Sequence, residues 1–119
     1  MASKVFKYSG GGYLVYKKGY ITATTDKTFT INTGTIDVDC GLILISYRNS
    51  RGLYGGMSLI TVSWNCEAIK SMTHNGTTGV VTVGGNTDAG ITLTVTNESE
   101  IKAGDTIRYR ISYIRNYDA

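Results

Sequence analysis

The sequence predicts an all-β protein, an antiparallel β-sandwich or jelly roll with little or no helix. Three observations carry that expectation. Apolar and polar residues alternate with period two along most of the chain, and β-branched and aromatic residues dominate these runs. Glycine-rich clusters such as "SGGG", "NTG", "YGG", "HNGTTG", "GGNTDAG" and "KAGD" separate them at sandwich-like intervals of about 8–12 residues. No stretch of about ten residues combines helical spacing with caps. With 15 glycines and no proline in 119 residues, glycine must do the turning that proline usually shares.

Residues 1–12, "MASKVFKYSGGG", are expected to be a flexible N-terminal segment, and residues 13–119 a single β-sandwich domain. Short strand candidates open it at "YLVY" (13–16) and "YITAT" (20–24). "TFTIN" sets Phe29 and Ile31 against Thr28, Thr30 and Asn32. "LITVSW" sets Ile60, Val62 and Trp64 against Leu59, Thr61 and Ser63. "AIKSM" (68–72) and "VVTV" (80–83) follow, and Asn75-Gly76 and Gly84-Gly85 suit the positive φ of tight hairpins. "ITLTVT" alternates Ile91, Leu93 and Val95 with Thr92, Thr94 and Thr96. The last run, "TIRYRISYI", sets Ile107, Tyr109, Ile111 and Tyr113 against Thr106, Arg108, Arg110 and Ser112, so its cationic side reads as the wet side of a sheet.

"GLILISYR" (41–48) breaks the pattern, because Leu42 and Leu44 lie on one side and Ile43 and Ile45 on the other. A strand apolar on both faces has to be covered twice. In a chain this short a sister copy is the economical source of the second cover, so Leu42, Ile43, Leu44 and Ile45 are expected at a subunit interface. Each such side chain buried contributes about 1.5–3 kcal/mol.

Composition excludes several classes. The net charge of +3 is mild, no run of five basic residues occurs and no RNA-binding motif is present, so no nucleic-acid partner is expected. The longest unbroken apolar stretch is "LILI", and the N-terminal residues lack the apolar run of a signal peptide, so neither membrane insertion nor secretion is expected. Cys40 and Cys66 are too few for a disulfide scaffold and read as small buried hydrophobes.

The catalytic inventory is poor, and the chain is not expected to be an enzyme. The single histidine, His74, sits in the turn "THNGTTG". Asp37 and Asp39 share a strand face about 7 Å apart, a spacing that could bind Ca²⁺ or serve as an acid–base pair, but no further oxygen ligands stand near them in sequence. Two cysteines and one histidine match no zinc pattern, so no metal or other cofactor is expected. Recognition is better supplied. Nine tyrosines are present, and "YRNSRGLYGG" (47–56) gathers Tyr47, Arg48, Asn49, Arg51 and Tyr54 in one connection. Arginine and asparagine bond sugar hydroxyls or carboxylates and a tyrosine ring stacks on a sugar face, which makes these five the candidate ligand- or receptor-binding residues.

Two segments carry a family resemblance. "GLILISYRNSRGLYGGMSLITVSW" resembles the paired strands around a Gly-rich connection in the C-terminal β-sandwich head domains of bacteriophage fibres and virion decoration proteins, and "ITLTVTNESEIKAGDTIRYRISYI" resembles their closing hairpin. The resemblance implies a virion structural protein, made in the host bacterial cytoplasm and assembled as a homotrimer beside other virion proteins. It further implies exposed loops that adhere to a host-surface glycan. The alternative is a monomeric carbohydrate-binding module.

Overall fold

The computed structural model describes residues 2–7, 13–36, 41–52, 54–62, 68–71, 79–86 and 88–115, with side chains described over 15–36, 41–52, 54–61, 79–86 and 88–113. Period-two alternation becomes strand pairing almost throughout. The described strands are β1 (Ala2–Lys7), β2 (Tyr13–Thr22), β3 (Phe29–Asn32), β4 (Gly41–Asn49), β5 (Gly55–Val62), β6 (Ala68–Ser71), β7 (Val80–Asn86), β8 (Gly90–Thr96) and β9 (Thr106–Arg115). No helix occurs among the described residues. The all-β antiparallel class read from the sequence is therefore the class of the structure.

The strands form two sheets, one of six in the order β1-β2-β9-β4-β5-β6 and one of three in the order β3-β8-β7. Every pairing between strands is antiparallel. The apolar sides face one another in a sandwich-like arrangement. Ile31 of β3 and Ile91, Leu93 and Val95 of β8 meet Ile43 and Ile45 of β4, Ile60 of β5 and Ile107 and Ile111 of β9, all with no exposed surface. Thr30 and Thr94 take the outer side of the small sheet, where their hydroxyls lie 3.0 Å apart. Strand β9 sits between β2 and β4, two strands far from it in sequence.

At the N-terminus the structure departs from the expected flexible lead-in. Residues 2–7 form β1 and pair one to one with β2, from Ala2 opposite Lys18 to Lys7 opposite Tyr13. A short lysine-bearing strand is a common way to finish a sheet edge, since its charges oppose further pairing. Such a strand has too few apolar positions to stand out from a basic tail in the sequence.

The hairpin between β7 and β8 needs its glycines. Gly85 and Gly90 have φ of 81° and 111°. A Cβ on Gly85 would collide with the Gly90 carbonyl oxygen, and one on Gly90 with the Asn32 side chain. Only glycine combines that conformation with that closeness.

Candidate functional site

Strand β4 fixes where the candidate residues point. Ile43, Ile45, Tyr47 and Asn49 share one parity and turn inward, whereas Leu42, Leu44, Ser46 and Arg48 turn outward. Ile43 and Ile45 have 0% exposure within this single chain, so these two expected interface residues belong to its own core. Leu42 and Leu44 remain 55% and 38% exposed. The strand is apolar on both faces, as read, and the chain itself covers one of them.

The 47–56 connection is not an open recognition loop. The rings of Tyr47 and Tyr54 stack at 5.9 Å with an interplanar angle of 23°, and Phe29 meets them edge-on at 5.7 and 6.2 Å. The Tyr47 hydroxyl lies 3.0 Å from the Ser58 hydroxyl. Burial pushes both phenols above their ordinary pKa. Asn49, 2% exposed, acts as a splint: its Oδ1 accepts the Tyr54 N–H at 3.0 Å and its Nδ2 donates to the Glu100 carbonyl at 3.1 Å. Arg51 closes the assembly. Its Nε and Nη2 donate to the two oxygens of Asp105 at 2.9 and 3.0 Å, and Nη2 also donates to the Glu100 carbonyl at 2.7 Å. Held chiefly by Arg51, the Asp105 carboxyl titrates at about 2, and its Oδ2 also accepts the Lys102 N–H of the "KAGD" turn. Of the five candidate residues, Tyr47, Asn49 and Tyr54 are buried and Arg51 is engaged, because a tyrosine that fills a core and one that grips a ligand look alike in sequence. Arg48 alone stays available.

Arg48 belongs to a different assembly, on the outer face of the six-stranded sheet. Strand register brings four short rows together there. Tyr20, Arg108, Arg48 and Gly55 form the first, and Lys18, Arg110, Ser46 and Met57 the second. Tyr16, Ser112, Leu44 and Leu59 form the third, and Leu42 with Thr61 lies in the fourth. The face is thus cationic at one end and apolar at the other. At the cationic end Lys18, Tyr20, Ser46, Arg48, Arg108 and Arg110 line a shallow open groove of ≈ 940 Å³. Tyr20 is 73% exposed, while the Arg110 guanidinium lies 4.6 Å from the centre of the Tyr16 ring. Beneath the groove the Tyr109 ring crosses Gly19, where a Cβ would stand 2.7 Å from the phenol oxygen. Among the described residues none of these four cations forms an ion pair; the pair found there is Arg51 with Asp105.

No protein-family model and no curated protein matches the chain. Among solved structures it is similar to a tailspike protein, gp49, from the Acinetobacter baumannii bacteriophage Fri1, a capsular polysaccharide depolymerase. The match has a TM-score of 0.51 at 13% identity and covers 94% of this chain but 19% of the tailspike. The likeness is one of fold. This chain spans about a fifth of the tailspike's length.

Asp37, Asp39, Cys40, Cys66 and His74 lie outside the described residues. Within the described residues no group of three or more His, Cys, Asp or Glu side chains is placed to hold a metal, and no helix is long and apolar enough to cross a membrane. The cationic groove was half visible in the sequence as the alternating arginines of β9. Lys18, Tyr20 and Arg48 join it only through pairing across β2, β9 and β4.

Proposed function

We propose that this chain is a structural and adhesive domain of a bacteriophage virion, of the fibre or tailspike kind, which works as a homotrimer and holds a host-surface glycan without cleaving it. The observation that carries the reading is the fold likeness to a segment of a phage tailspike, extending over 94% of the chain. The outer sheet face supports the assembly half of it. Leu42, Leu44 and Met57 are 55%, 38% and 47% exposed, and half-buried Leu59 lies between Leu44 and the sheet edge. Their sheet already has a complete core on its other side, so water is what they now face. A sister copy laid over these rows would remove that surface, each leucine contributing its exposed share of the about 1.5–3 kcal/mol that full burial is worth.

Light scattering at micromolar concentration tests assembly. A trimer is expected, with Leu44→Asp shifting it toward monomer while the thermal transition of the fold persists. A monomer at every concentration would remove the trimer. It would favour instead a stand-alone carbohydrate-binding module. Adhesion is tested by binding to immobilised bacterial surface glycans.

A further inference from the structure

The cationic end of the outer sheet face is expensive in stability terms. Arg108 stands directly opposite Arg48 across β9 and β4, and Lys18 directly opposite Arg110 across β2 and β9. Like charges so paired destabilise a sheet. Among the described residues no carboxylate, Asp88 and Glu100 included, forms an ion pair with them. Glu98 is fully buried, Asp105 is held by Arg51, and Asp26 accepts the Ala103 N–H at 2.9 Å.

We infer that this end of the sheet is the binding site for an acidic polysaccharide, a sugar chain bearing carboxylates. The inference rests on the adhesive reading above and names its ligand class. The four cations fall within two strand spacings, about 10 Å, and one two-residue step, about 7 Å. That is a compact patch, wide enough to meet more than one anion of a chain lying across the strands. Three of the four are guanidiniums, whose forked donors match a carboxylate bidentately, and Lys18 adds a point charge. Tyr20 offers an open ring to a sugar face, and Ser46 sits between Arg110 and Met57 as a hydroxyl partner. Single-stranded nucleic acid is the less suitable polyanion. It is held by successive stacking platforms, and here the Tyr16 ring already carries Arg110.

The test is calorimetric titration of the full chain with an oligogalacturonate, the same oligosaccharide after carboxyl reduction, and an oligothymidylate. Oligogalacturonate is expected to bind, more weakly as salt rises toward roughly 0.15 M. The reduced sugar should bind at least about tenfold more weakly, as the loss of one charge-assisted bond predicts. Arg108→Gln with Arg110→Gln should lower affinity by about tenfold or more, with a melting temperature equal to or above that of the parent. If that pair impairs folding, Lys18→Gln with Arg48→Gln makes the same test from the flanking strands. Equal binding of the reduced sugar would overturn the acidic class and leave adhesion standing. Failure of both sugars, with no binding to immobilised surface glycans, would end both readings. Oligothymidylate binding as tight as the sugar's would overturn the inference in favour of nucleic acid.

Discussion

Asp105 shows how much one side chain organises. It is 6% exposed, accepts two hydrogen bonds from Arg51, one from the Lys102 N–H and one from Asn49, and so ties the turn before β9 to the end of β4. Its carboxyl titrates at about 2 against an ordinary 3.8. A depressed carboxylate stabilises the fold above its ordinary value, and that stabilisation drains away as pH falls toward the folded-state value. Thermal melts from neutral pH downward should therefore show a loss of stability between about 4 and 2. Asp105→Asn is expected to lower the neutral-pH melting temperature and to flatten that acid slope. An unchanged slope would mean that Asp105 is not the group responsible. The sequence placed this aspartate in a turn, but its bond to Arg51 joins positions 54 residues apart and left no local trace. The inward turn of Tyr47 and Asn49 was more accessible, since both share the parity of Ile43 and Ile45.

At the scale of elements, alternation was the most faithful guide. Strand β8 buries Ile91, Leu93 and Val95 completely and leaves Thr92, Thr94 and Thr96 half-buried, the two faces read from "ITLTVT". Leu93→Ala should destabilise by about 2–5 kcal/mol, the cost of lost burial plus a cavity. Thr94→Ala, on the other face, should stay within about 1 kcal/mol, because it loses little more than the contact with Thr30. Chemical denaturation of the two variants makes the comparison, and equal losses would mean that the faces are assigned wrongly. Parity was legible because one strand carries it. Partner choice was not, because the pairing of β2, β9 and β4 joins segments dozens of residues apart. The cationic groove is completed only through that pairing: Arg108 and Arg110 were legible as one side of β9, but Lys18 and Arg48 stood far from them in the sequence.

In the whole molecule, β9 is the middle of the larger sheet, hydrogen-bonded to β2 on one side and β4 on the other. A chain ending at residue 105 should therefore show no cooperative thermal transition, and a synthetic peptide of residues 106–115 added to it should restore one in a concentration-dependent way. A sharp transition without the peptide would show that the rest of the sheet closes by itself. The central position of a late strand also bears on biosynthesis. At about 5–20 residues per second, β2 and β4 leave the ribosome several seconds before the segment that joins them. Through that interval the nascent polypeptide carries two open backbone edges, each a template for a neighbouring chain on the same polysome.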